Sequence, residues 1–118
     1  MTIPSGSGTE ILKRGYFTVT DATHTIILDG VANHIYTVLS IIVTETQGNN
    51  ESFGLFLDPS AAGTDYEILS NQNVDLAANA TFIFNDRLVL VGTDHLNFIA
   101  GGTCDIDIVI SYIDQDWT

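Results

Sequence analysis

The sequence predicts an all-β domain: an antiparallel β-sandwich, jelly-roll-like, of about eight or nine short strands. Three observations carry that prediction. Apolar and polar residues alternate with a period of two over several short segments. Clusters of Gly, Asn, Asp and Pro punctuate those segments at close intervals. No stretch keeps a helical period for longer than a turn. Spacing alone leaves jelly-roll and immunoglobulin-like connections open.

In chain order, residues 1–14 read as an extended N-terminal arm and residues 15–118 as one β-sandwich domain. The arm opens with Ile3 and Pro4 among Ser, Gly and Thr, is anchored by Ile11 and Leu12, and carries the basic pair Lys13 and Arg14. Such a segment either frays or crosses onto a neighbouring subunit. Two short strands follow, residues 16–20 and 23–28, the second turning at Asp29-Gly30.

Residues 35–44, IYTVLSIIVT, form the longest β-branched run. Period two sends Ile35, Thr37, Leu39, Ile41 and Val43 to one face and Tyr36, Val38, Ser40, Ile42 and Thr44 to the other. The second face is only half polar, so it is expected to be covered by more of this chain or by another copy. After the turn at residues 47–50, residues 52–57 return as the next strand, in a meander. Residues 59–63 are a loop, Tyr66 and Ile68 mark a short strand, and residues 71–79 read as a connection. Asn85-Asp86 suits a two-residue hairpin between residues 81–84 and 87–91. Leu96, Phe98 and Ala100 then line one side of a strand. In the last strand Cys104, Ile106, Ile108, Ile110 and Tyr112 face inward, and Asp105, Asp107 and Ser111 outward.

Composition narrows the function classes. A chain of 118 residues is one domain, large enough to fold without staples. Fifteen Asp and Glu against three Lys and Arg give a net charge of −12. That field repels phosphate backbones and anionic lipid, so neither a nucleic acid nor a membrane is an expected partner. No apolar run approaches the ~20 residues of a membrane helix, and no signal-peptide pattern opens the chain, so synthesis in a cytoplasm is expected.

Catalytic chemistry is hard to assemble. The three histidines, His24, His34 and His95, have unrelated spacings, and Ser40 and Ser111 lie inside strands rather than on a nucleophile elbow. Asp105 with Asp107, and Asp114 with Asp116, place carboxylates about 7 Å apart on a strand, without the loop array that calcium takes. Cys104 stands alone and reads as a small core residue. No enzyme activity, cofactor or metal is expected. Tyr16, Tyr36, Tyr66 and Trp117 offer stacking surface for a sugar, though a terminal Trp also suits an anchor against a neighbouring chain.

From Tyr36 onward the succession of segments resembles the small virion structural proteins of tailed bacteriophages. The segments are YTVLSIIVT, SFGLFLD, the G-T-D-Y step at residues 63–66, NVDLAANATF, LVLVGTDHLNFIA and DIDIVISYID. Leu76 to Thr81 resembles the family's Leu-x-Ala-Asn-x-Thr connection, Gly92, Asp94 and Leu96 its Gly-x-Asp-x-Leu step, and Ser111 to Asp114 its closing Ser-Tyr-x-Asp. The N-terminal IPSGSGTE is similar as well.

The resemblance implies a non-enzymatic component of a tailed-phage virion, made in the host cytoplasm. An oligomeric capsid decoration or cement protein, or a neck or tail accessory protein, is the expected role. It implies assembly with itself, a homotrimer being the expected closure, and with other virion proteins such as the major capsid protein. The expected contact residues are Ile3, Pro4, Ile11, Leu12, Lys13, Arg14, Tyr36, Val38, Ile42 and Trp117. The alternative is a glycan- or receptor-binding module at a fibre tip.

Overall fold

The computed structural model describes residues 9–117. Among them, nine strands and one 3-10 turn appear in the order β1 Thr9–Val19, β2 Thr25–Asp29, β3 His34–Glu45, β4 Glu51–Asp58, the turn Pro59–Ala61, β5 Tyr66–Leu76, β6 Thr81–Phe84, β7 Leu88–Val91, β8 His95–Ala100 and β9 Ile106–Asp116. One sheet runs β1-β9-β3-β6 with β7 also on β3, and the other runs β2-β8-β4-β5. Every pairing is antiparallel. β6 and β7 pair with successive halves of β3, so together they act as one interrupted edge strand. Counted that way, eight strands wind between two sheets in jelly-roll order, and the fold class predicted from the sequence holds.

The core lies where the alternation was cleanest. Ile106, Ile108 and Ile110 on β9 and Leu96, Phe98 and Ala100 on β8 are all fully buried, facing each other across the two sheets. Phe53 of β4 stacks on Phe98 with ring centroids 5.3 Å apart and meets Phe82 edge-on at 5.3 Å. Burial of these side chains is the main stabilising term, at roughly 1.5–3 kcal/mol each.

Several sequence expectations are corrected. The arm does not extend to residue 14: Thr9 to Arg14 are the first half of β1, paired in register with β9 from Thr9↔Asp116 to Arg14↔Ser111. Thr9 to Arg14, TEILKR, show no period-two alternation and are exposed throughout, as suits the outer half of an edge strand with little core to fill. Residues 71–76 belong to β5, which pairs with β4 on both sides of an irregularity. That irregularity folds over Gly54, where an added Cβ would lie 2.8 Å from the Gln72 amide nitrogen and 2.9 Å from the Asn71 Cα. The missing side chain at Gly54 makes the crossing feasible.

β3 and β4 are not neighbours in a meander, because they lie in different sheets. Nor do β6 and β7 form a hairpin about Asn85-Asp86. Most consequentially, β3 changes face midway. Val38 sits opposite Tyr112 and Ser40 opposite Ser111, leaving Leu39 as an extra residue in a β-bulge. Tyr36 and Val38 therefore point inward before the bulge, and Ile41, Val43 and Glu45 after it. One inserted residue reverses the phase of a period-two pattern.

Candidate functional site

The outer face of the five-stranded sheet is the most distinctive surface. Residues opposite each other in antiparallel strands share a face, about 5 Å apart, so the registers define rows across the sheet. One row is Leu12, Ile113, Thr37 and Val89. A second, four residues along, is Tyr16, Val109, Ile42 and Ile83. Leu12 is 74% exposed, Tyr16 75% and Ile83 58%, so both rows reach solvent. Between them runs a row of Arg14, Ser111 and Ser40, with Leu39 of the bulge beside it.

The ends of this face are polar but internally paired. The Thr18 hydroxyl donates to Asp107 Oδ1 at 2.9 Å, the Thr44 and Thr81 hydroxyls meet at 3.2 Å, and Gln115 Nε2 donates to Glu10 Oε1 at 2.8 Å. Leu12, Lys13, Arg14, Leu39, Ser111 and Tyr112 line a shallow depression of about 500 Å³ in its middle.

Buried carboxylates brace both ends of the sandwich. Asp114, nearly inaccessible on the inner side of β9, accepts from Lys13 Nζ on β1 at 2.7 Å and lies 2.7 Å from His34 Nδ1 on β3. Burial pushes the Asp114 carboxyl up, but hydrogen bonds from Lys13 and His34 outweigh it and hold the group below its ordinary value. The same hydrogen bond raises Lys13. The rings of Tyr36 and Tyr112, 5.2 Å apart, pack beside this cluster. At the opposite end, Glu45 accepts the backbone N–H groups of Asn79, Gln47 and Gly48, each at 2.8 Å. The Asn79 N–H is the largest cause of its lowered pKa, against the opposing effect of burial. Asp94 accepts from Ser60 N–H at 2.8 Å and Val91 N–H at 3.0 Å.

The expected contact residues fall into three groups. Leu12, Arg14 and Ile42 do lie together on the outer face. Tyr36 and Val38 do not; both are buried, displaced inward by the bulge at Leu39. Ile11 and Lys13 share the inner side of β1, Ile11 half exposed and Lys13 committed to Asp114. Trp117 is half-buried at the end of β9, its backbone N–H donating to the Asn33 carbonyl at 3.0 Å. Ile3 and Pro4 lie outside the described residues.

The aromatic residues weighed for a sugar platform do not gather: Tyr16 is on β1, Tyr36 is inside, and Tyr66 is on β5 of the other sheet. The histidines are also dispersed. His24 packs on Phe56, His34 on Asp114, and His95 Nε2 lies 3.0 Å from Asp29. Among the described residues no three His, Cys, Asp or Glu side chains are placed to hold a metal ion.

Sequence reasoning missed the bracing carboxylates, Asp114 above all, which it read only as one of a pair with Asp116 along the strand. The signal for Glu45 was present: a carboxylate two and three residues ahead of Gln47-Gly48 is positioned to accept the N–H groups of its own turn. Cys104 is a core residue, its Sγ donating to the Val19 carbonyl at 3.4 Å, and burial pushes its thiol up to about 11. A thiolate-selective reagent at pH 7.5 is therefore expected to label the native protein negligibly and the denatured protein fully; rapid native labelling would contradict this packing.

No protein-family model matches the chain, and a search of curated proteins finds no match. Solved structures do match. A chain from Bacillus endospore appendages, described as disulfide-linked pili, superposes with a TM-score of 0.53 at 13% identity, over 100% of this chain and 97% of that one. A chain from the acidic stable capsid of Helicobacter pylori bacteriophage KHP30 gives 0.53 at 7% identity, covering 95% of both. A chain of the T13 IBDV viral particle gives 0.57 at 9% identity, where this chain spans 31% of that one. At such identities the likeness is one of fold: a two-sheet β architecture shared with chains of shells and appendages.

Proposed function

We propose that this protein is a non-enzymatic structural component of a tailed-phage virion, either a capsid decoration or cement protein or a neck or tail accessory protein. It works as a homo-oligomer, in contact with other virion proteins such as the major capsid protein. The observation that supports this most is coverage. The likeness to a phage capsid chain runs over 95% of both molecules, so the whole domain, rather than a fragment of it, has the form of a shell component. The virion-protein segments in the sequence agree, and so does a surface low in cations.

Multiplicity suits such a role. A repeated subunit needs only modest contacts, since each added copy engages at high effective concentration. The test is the composition of particles. Gradient-purified virions from cells expressing the chain in its own genomic setting are expected to contain it in many copies, read by quantitative mass spectrometry. Its absence from particles, with the protein abundant in the lysate, would overturn the assignment.

A further inference from the structure

We infer that the outer face of the β1-β9-β3-β6/β7 sheet is the surface through which copies of this chain bind one another, with the Leu12 and Tyr16 rows as its contact ridges. This rests on the oligomeric reading above and names the surface that reading leaves open.

Three observations select a second copy as the occupant. The first is charge. Among the paired strand positions of this face, Glu10 and Asp107 are the acids and Arg14 is the cation, leaving it at −1 while the chain carries −12. Two molecules so acidic repel each other, and this face carries only a small share of the charge responsible.

Area is the second. Four strands at ~4.8 Å spacing and nine residues at ~3.3 Å rise give a face of roughly 600 Å² per copy. Two such faces hide about 1,200 Å², the lower bound of a stable specific interface.

The third is the low cost of drying the face. Thr18 with Asp107, Thr44 with Thr81, and Gln115 with Glu10 already share one hydrogen bond each, so covering them costs less than covering the same groups unpaired. Shape agrees: the Tyr16 ring stands out from the face, and the depression beside Leu39 offers it a seat on the facing copy.

Substitutions at these exposed positions leave the monomer's core untouched, which makes the test direct. Native mass spectrometry and sedimentation equilibrium of the purified chain are expected to give a multiple of 12.8 kDa. The double variant Leu12→Glu/Tyr16→Glu is expected to run as a monomer with an unchanged circular-dichroism spectrum and melt. Tyr66→Glu, also at an exposed position but on the other sheet, is expected to stay oligomeric. A monomeric wild type, or a double variant as oligomeric as wild type, would overturn the inference. Particle incorporation reads the other proposal separately. Chain found in virions with an intact oligomer in Leu12→Glu/Tyr16→Glu would reject this surface and leave the virion role. Chain missing from virions with the oligomer dispersed would do the reverse.

Discussion

Gly30→Ala is expected to lower the melting temperature by about 10 °C or more, the cost being about 3 kcal/mol or above. Gly30 lies where the chain leaves β2 for β3 and crosses from one sheet to the other. Its N–H donates to the Asp94 carbonyl at 2.8 Å. A Cβ there would stand 2.5 Å from that carbonyl oxygen and 2.9 Å from the Asp94 nitrogen, and would collide with the Gly92 carbonyl. All three atoms are backbone, and the Asp94 side chain fixes this turn through Val91 and Ser60. Nothing flexible is available to retreat. Gly102→Ala, where an added Cβ meets nothing within 4 Å, is the control and is expected to melt as wild type does. Calorimetry of both variants checks this, and a Gly30→Ala midpoint within about 3 °C of wild type would show that the turn yields.

Asp114→Ala is expected to cost about 2–3 kcal/mol, since it removes two hydrogen bonds to cationic or ionisable partners at 2.7 Å and unties three adjacent strands at once. Lys13 supplies the smaller share, because its ammonium is partly solvated once released. Asp114→Asn, which keeps an acceptor but no charge, is expected to fall between.

The pH dependence follows from the directions of the shifts. Asp114 and Glu45 both titrate lower in the folded protein than in the unfolded chain. Their stabilisation is complete above the unfolded value, about 4, and is lost as pH falls through the folded values. Lys13 is raised, so its share is complete below about 10.4 and is lost as pH climbs through its folded value. Melts of wild type and Asp114→Ala are expected to converge on acidification from pH 6 to pH 2; a constant gap would show that the carboxylate is not the acid-labile tie.

What could be read from the sequence depended on whether one face of a strand was dry and the other wet. In β9 and β8 that contrast is strong, and Ile106, Ile108, Ile110, Leu96 and Phe98 occupy the positions predicted. In β3 both faces are largely apolar, so alternation carried no information about phase, and nothing in LSI around Leu39 marks a bulge. The interface prediction split accordingly. Ile42 lies on the outer face, while Tyr36 and Val38, assigned to the same side, are inside. Turn chemistry marked real breaks between strands at Asp29-Gly30 and Asn85-Asp86, but at Asn85-Asp86 the chain interrupts one edge strand instead of reversing, since β6 and β7 run the same way along β3. The bracing role of Asp114 was illegible for a different reason. Its partners, Lys13 and His34, are 101 and 80 residues away, and only the finished topology brings them together.

That topology carries a consequence for biosynthesis. β9, the last strand described, is the middle partner of β1 and β3, so most of the backbone ladder of one whole layer awaits its arrival. A nascent polypeptide stalled or clipped before Ile106 holds Leu12, Tyr16 and two long unpaired margins open together, and is an aggregation hazard rather than a nearly native product. Synthesis of β9 thus acts as the checkpoint: only a chain translated through Asp116 yields a subunit able to keep its greasy exterior for its sisters.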